Sequence, residues 1–165
     1  MDDLLPDAGL DTKFDEAVKL KANQVLFVEG ESSAYLYIVL SGKIRVLKET
    51  DTKLISISVI GRKSFIGELS MFSDAPRSAS AVAIESTEVI MIKKSDILKV
   101  IKQCPPWISE IMKTLSGRLR GGLDILREHN IVDSSDEGDN ILSNEQARSM
   151  QESIESYRER RGLNL

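Results

Sequence analysis

The 165-residue chain reads as mainly β with helices: a jelly-roll-like antiparallel β-barrel followed by a short and then a long α-helix. Three observations predict this. Between residues 24 and 93, short β-branched-rich runs alternate with turn residues at close, regular spacing, as in antiparallel sandwiches and barrels. At Ser95 the apolar period changes to a helical one, and Pro105 and Pro106 divide the helical region in two.

The strand candidates are VLFV (25–28), YLYIVL (35–40), KIRVLK (43–48), KLISISVI (53–60), ASAVAI (79–84) and VIMIK (89–93), separated by turn chemistry such as EGESS, SG, ETDTK and GRKS. Ser95 is suited to cap the short helix, with Asp96 in its first turn and Ile97, Leu98 and Ile101 at helical spacing. The long helix starts near Pro106 and carries Ile108, Ile111, Met112, Leu115, Leu119, Leu123 and Leu126 along one side. Trp107 and Cys104 are expected to pack the junction between the two helices, and His129 to sit at a helix end. Met112, Leu115, Leu119, Gly122 and Leu126 step by threes and fours, as a two-helix seam requires, so a homodimer through the long helix is expected. Gly117, Gly121 and Gly122 give the same helix a place to bend.

The acidic, apolar-free stretch DSSDEGDN (133–140) has linker composition. After it Ser143 and Gln146 have capping-box spacing, and Ala147, Met150, Ile154 and Tyr157 form a narrow helical stripe ending before Gly162. Such a helix is marginal alone, so the stripe needs a partner, in the domain or in another protein. The run RERR (158–161) reads as a solvated helix C-terminus favourable to the dipole.

The net charge of −4 resides in the tail, where eight acidic and four basic residues follow from Asp133 onward; residues 1–132 carry 18 of each sign. A neutral body with an acidic tail offers no cationic surface for nucleic acid. No apolar run reaches the roughly 18 residues of a membrane span. A single cysteine and an acidic N-terminus point to a soluble, cytoplasmic protein. One histidine, outside the barrel, excludes a cupin-type metal centre, and no nucleophile–base–orienter set is visible, so neither catalysis, metal nor cofactor is expected.

The stretch FIGELSMFSDAPRSASAVA (65–83) carries the chemistry. Gly67 lets the backbone approach a ligand, and Glu68 is a suitable acceptor for a sugar hydroxyl. Residues 68–72 can form one helical turn whose free N–H groups make an anion cradle. Arg77 supplies a planar fork for paired phosphate oxygens, and Ser78 a hydroxyl. Taken singly, Gly-Glu-Leu is common turn chemistry and Pro-Arg-Ser an ordinary strand entry. It is their joint spacing, behind the matching strands, that argues for a sugar phosphate held against a barrel.

These residues resemble the phosphate-binding cassette of cyclic-nucleotide-binding domains, Phe-x-Gly-Glu-Leu, a short helix, a variable loop, then Pro-Arg-x-Ala-(Thr/Ser)-x-x-Ala. The match falls on Phe65, Gly67, Glu68, Leu69, Pro76, Arg77, Ala79, Ser80 and Ala83, with Phe27, Gly30, Tyr37, Ser41 and Gly42 at expected places upstream. The resemblance spans residues 14 to about 129. It implies an N-terminal segment (1–13), a cyclic-nucleotide-binding domain including its C-terminal helices (14–130), and an acidic linker with a tail helix (131–165).

The resemblance further implies a receptor for cyclic AMP or cyclic GMP, with cyclic AMP favoured. Glu68 would take the ribose 2′-hydroxyl and Arg77 the cyclic phosphate, with Gly67, Leu69, Ser70, Ser78 and Ala79 completing the cradle and Leu119 and Leu123 capping the base. Where activator relatives place adenine-reading hydroxyls on the long helix, gapless counting from Arg77 finds Gly122 and Leu123. Those relatives continue into a winged helix-turn-helix, whereas the residues after 130 here are mostly acidic and polar. The alternatives are a sensor that signals to a partner protein, a fragment lacking its fused output domain, or an adaptor that keeps the fold and binds no nucleotide. An unpaired Arg77 facing an apolar pocket would be costly without an anion, which counts against the adaptor.

Overall fold

The computed structural model describes residues 17–50, 53–72, 75–129 and 142–163, and at 123 and 126–129 the backbone alone. The N-terminal segment 1–13 and the acidic stretch 133–140 lie outside the described residues, as does the side chain of Leu123.

Eight strands form two four-stranded antiparallel sheets. The strands are β1 (Val18–Leu20), β2 (Val25–Phe27), β3 (Tyr35–Ser41), β4 (Ile44–Glu49), β5 (Leu54–Ile60), β6 (Phe65–Ile66), β7 (Ser80–Ala83) and β8 (Thr87–Lys93). One sheet has the order β1-β8-β3-β6 and the other β2-β7-β4-β5. The β4–β5 hairpin pairs from Ile44↔Ile60 to Glu49↔Leu54, and β3 pairs with β8 from Tyr35↔Lys93 to Ser41↔Glu88. All six strand candidates are present within a few residues. The two missed strands, β1 and β6, are three and two residues long, too short to show a period.

The core lies between the sheets, where Leu20, Leu26, Phe27, Tyr37, Val39, Ile44, Ile66, Ala81, Ala83 and Val89 pack together. Strand β7 is buried along its whole length. Its alternation sends Ala81 and Ala83 into this core and Val82 to the opposite face, which must therefore be covered too. The cover is α3 (Asn144–Arg161), which lays Met150 and Ile154 on Val25, Val28, Leu47, Leu54 and Val82. The tail stripe thus finds its partner within the domain. Ser143 and Gln146 form the reciprocal capping box, and Gly162 ends the helix at φ 66°.

Two expectations about helix ends are corrected. In α1 (Lys94–Ile101) the N-cap is Lys93, with no side-chain cap, because the helix starts directly from the end of β8; Ser95 falls inside the first turn and its Oγ lies 3.5 Å from Asp96. At the other end of the chain, Arg158 of the RERR run is not solvated. Its side chain retains 17% exposure and clasps Glu49.

Helix α2 (Pro106–His129) runs unbroken through Gly117, Gly121 and Gly122, and a Cβ at any of the three would meet nothing within 4 Å. Ser116 is buried and Ile108 and Met112 are half-buried, so this side faces the barrel. Trp107, expected in the α1–α2 junction, is instead 60% exposed, on one outward stripe with Ile111 and Leu115. Their spacing of four keeps them near one face, and the barrel occupies the other. Cys104 is half-buried at the junction, its thiol 3.7 Å from the Val100 carbonyl. Among the described residues no helix is long and apolar enough to cross a membrane.

Because Ile154 is fully buried, Ile154→Ala is expected to destabilise the protein by about 2–4 kcal/mol in urea unfolding. Gly121→Ala, with open space around its Cβ, is expected to stabilise it by about 0.5–1 kcal/mol in the same measurement.

Candidate functional site: a buried guanidinium beneath a glycine turn

Gly67 follows β6 at φ +90°, a left-handed conformation that a residue with a Cβ adopts with strain. The added Cβ would also run into Arg77 Nη1. Glycine is therefore required twice over, for the turn and for the guanidinium beneath it. Glu68–Ser70 then form a single 3₁₀ turn, closed by Met71 N–H donating to the Glu68 carbonyl at 3.0 Å. The helical turn expected from the sequence is present in this tighter form.

Arg77 has only 4% of its surface exposed. Nη1 donates to the Gly67 carbonyl at 3.2 Å and to Ser70 Oγ at 3.1 Å, and Nη2 donates to the Tyr35 carbonyl. The guanidinium carbon sits 4.1 Å over the Phe27 ring and 5.5 Å from the Tyr37 ring. Such faces attract a cation electrostatically. The main chain of Arg77 is held as well, its N–H donating to the Glu31 carbonyl at 2.8 Å and its carbonyl accepting from Gly30 N–H at 3.0 Å.

A guanidinium has five N–H donors. Three are committed to the acceptors just named, the Tyr37 hydroxyl is a further side-chain partner, and the Nε–H is buried and without a partner. No described carboxylate forms an ion pair with Arg77. Burial pulls its pKa below the ordinary arginine value, opposed by Tyr37, Glu31 and Glu68, while burial pushes the Tyr37 hydroxyl up. The result is a buried cation held by carbonyl and hydroxyl dipoles and by ring faces, with the Glu31 and Glu68 charges favouring it from beyond ion-pair distance.

Beside it lies a cavity of about 220 Å³. Its wall includes Gly67, Glu68, Leu69, Ser70, Arg77, Ser78, Ala79 and Leu119, so the structure brings the sequence-derived set together, Leu123 excepted. Glu68 is exposed, and its carboxylate has no hydrogen-bond partner among the described residues. Ser78 is held by its carbonyl, which accepts from Lys48 Nζ at 2.7 Å. Helix α2 joins the wall through Leu119, while Arg120 donates to the Pro76 carbonyl at 2.9 Å and Asp124 pairs with Lys48 at 3.5 Å.

Sequence reasoning missed the rest of the wall, Phe27, Val46, Ile57, Ser58, Ile60 and Ile66. On apolar strands these positions look like core, and only the fold distinguishes a cavity wall from a packed interior. It also missed Lys48, buried in the middle of β4, whose partners come from three distant segments.

Residues 17–104, more than half of the chain, match the model of the cyclic nucleotide-binding domain. The chain is similar to the cyclic AMP receptor protein of Thermus thermophilus, 32% identical over 96 residues that cover 58% of this chain and 44% of that protein. In structure it is similar to the Thermus thermophilus catabolite activator protein, with a TM-score of 0.55 and 30% identity, covering 67% of this chain and 54% of the other. It is also similar to an EAL enzyme in its cGMP-bound form, with a TM-score of 0.60 and 25% identity, covering 64% of this chain and 28% of the other. The chain thus spans about half or less of the length of each. With its two antiparallel sheets, the glycine turn over a buried arginine and the helices that follow, the chain belongs to the cyclic nucleotide-binding domain family.

Proposed function

We propose that this chain is a cyclic-nucleotide receptor domain, taking cyclic AMP and with lower preference cyclic GMP in the cavity beside Arg77. The observation that carries the reading is the Arg77 guanidinium itself, buried, unpaired with any described carboxylate, and left with an unpartnered Nε–H. A planar guanidinium suits the paired oxygens of a phosphate, and an anion supplies the charge that the surrounding carbonyls only approximate.

In this reading the exposed Glu68 accepts from the ribose 2′-hydroxyl. The backbone of Gly67, Leu69 and Ser70, together with Ser78 and Ala79, cradles the phosphate, and Leu119, with Leu123 beside it, caps the base. Nucleotide acts by moving residues 117–165 relative to the barrel, and the output passes to a partner protein or a fused output domain in the cytoplasm. The domain is a receptor and performs no catalysis. The seam for a second copy lies on the long helix, where Leu115 of the expected set Met112, Leu115, Leu119, Gly122 and Leu126 stands exposed beside Trp107 and Ile111, while Met112 is half-buried and Leu119 joins the cavity wall.

Titration calorimetry with cyclic AMP and cyclic GMP tests the reading. Arg77→Ala is expected to weaken binding roughly a hundredfold or more, since charge-assisted hydrogen bonds contribute about 1.5–3 kcal/mol each. Binding of that variant at unaltered affinity would overturn the assignment. Gly67→Ala, which displaces the guanidinium, is expected to lose both nucleotides together and to lower the unfolding free energy by about 1–3 kcal/mol. The wall beyond the cassette is apolar apart from Ser58, so the two nucleotides are expected to differ in affinity by about tenfold or less, or about 1.4 kcal/mol.

A further inference from the structure

Helix α3 does more than cover Val82. Its last turn reaches the loop that follows β2 and, through it, the main chain of Arg77. Tyr157 donates its hydroxyl to the Glu31 carboxylate, 3.3 Å from each oxygen, and Arg161 approaches the same carboxylate at 3.9 Å. Arg158 clasps Glu49 with two parallel bonds, Nη1 to Oε2 at 2.8 Å and Nη2 to Oε1 at 2.7 Å. Both partners are largely buried, and two-pronged pairs of this kind fix orientation as well as contributing energy.

These carboxylates belong to one polar layer. Glu29 takes Lys48 Nζ on one oxygen at 2.8 Å and Glu49 N–H on the other at 3.1 Å. Ser80 Oγ accepts from Glu29 N–H at 2.8 Å and donates to Glu49 at 3.3 Å. On its inner side the layer holds the cassette. The Glu31 carbonyl accepts from Arg77 N–H, Gly30 N–H donates to the Arg77 carbonyl, and Lys48 Nζ donates to the Ser78 carbonyl. Residues 28–31 and 48–49 are therefore a plate, with α3 on one side and Arg77–Ser80 on the other. Undocking α3 would withdraw Arg158 from Glu49 and Arg161 from Glu31, while Lys48 stays with Glu29 and Asp124. The carboxylates so left repel, and the element free to yield is the loop that clamps Arg77.

Resting on the receptor reading above, we propose that the last turn of α3 is a positioning element for the nucleotide site. Tyr157 and Arg158 hold the 28–31 loop so that Arg77 keeps its guanidinium in the cavity wall, and docking of the tail helix and binding of nucleotide strengthen each other. Such coupling is reciprocal by linkage: whatever factor α3 contributes to nucleotide affinity, nucleotide contributes to α3 docking.

The test is titration calorimetry of the full chain with cyclic AMP and cyclic GMP, paired with hydrogen exchange. Arg158→Ala is expected to weaken binding about tenfold, Arg158→Lys to recover part of that loss, and Tyr157→Phe to weaken binding about threefold. Arg148→Ala, which removes only an exposed pair with Glu152 on the same helix, is expected to leave affinity unchanged. In the unmodified chain, amides of residues 150–158 are expected to gain protection when nucleotide is saturating, a response that a purely structural tail would not give. If Arg158→Ala does not fold, that exchange measurement decides alone. Equal affinities of Arg158→Ala and the unmodified chain, or α3 exchange indifferent to nucleotide, overturns the coupling and leaves the receptor reading intact. Failure of the unmodified chain to bind either nucleotide overturns both.

Discussion

The arrangement around the cassette depends on keeping one guanidinium charged in a place from which water is excluded. Removing a cation from water is expensive unless other dipoles or charges replace the hydration. Here the replacements are the Gly67 and Tyr35 carbonyls, the Ser70 hydroxyl and the faces of Phe27 and Tyr37. Each imposes a local requirement. The Gly67 carbonyl is in place because its residue is left-handed, the Tyr35 carbonyl because β3 begins there, and the Phe27 ring because β2 is buried on both faces. A turn, two strands and a 3₁₀ helix are thus fixed relative to one side chain. The sequence argument holds such an arginine costly without its anion; the protein offsets part of that cost with enough polarity to keep the cation in place, and the Nε–H remains unpartnered.

Around this centre the chain places two helices on different sides of the cassette. Helix α2 joins the cavity wall through Leu119 and touches the cassette through Arg120 and, by way of Lys48, through Asp124. Helix α3 lies on the far face of the β2-β7-β4-β5 sheet and meets the cassette through the 28–31 loop and through Glu49, which Ser80 contacts. Lys48 belongs to both connections, since its ammonium reaches Asp124 of α2, Glu29 of the loop and the Ser78 carbonyl. A lysine buried to this degree is tolerable because its neighbours satisfy the charge, and the same neighbours tie three segments to one atom.

Much of this was legible in the sequence, and the failures have physical reasons. Gly67, Glu68 and Arg77 stood out because a left-handed turn, a lone carboxylate and a lone guanidinium are residue-type requirements that spacing preserves. The α3 capping box was legible for the same reason, being a local device set by Ser143 and Gln146. Trp107 was misplaced because a helical stripe gives a periodicity but not which side faces the barrel, and the side is chosen by long-range packing at Ser116. Arg158 was misread because a basic helix end is ordinarily solvated; its partner Glu49 is 109 residues away. Lys48 sat in an apolar strand with no local sign that its head would be enclosed.

The burial of β7 connects these threads. A strand of a two-sheet barrel needs one apolar face, yet Ser80–Ala83 is buried throughout, and its outward residue Val82 packs in the same cluster as Ile154. The strand begins three residues after Arg77, and its first residue, Ser80, belongs to the layer that α3 clasps through Glu49. The apolar and polar contacts of the tail helix therefore converge on one short segment, the one that leaves the cassette. A helix that merely capped a sheet face could have ended at its apolar stripe. This one extends a further turn to bring two polar side chains onto the plate beside the arginine, which places the tail within the architecture of the site.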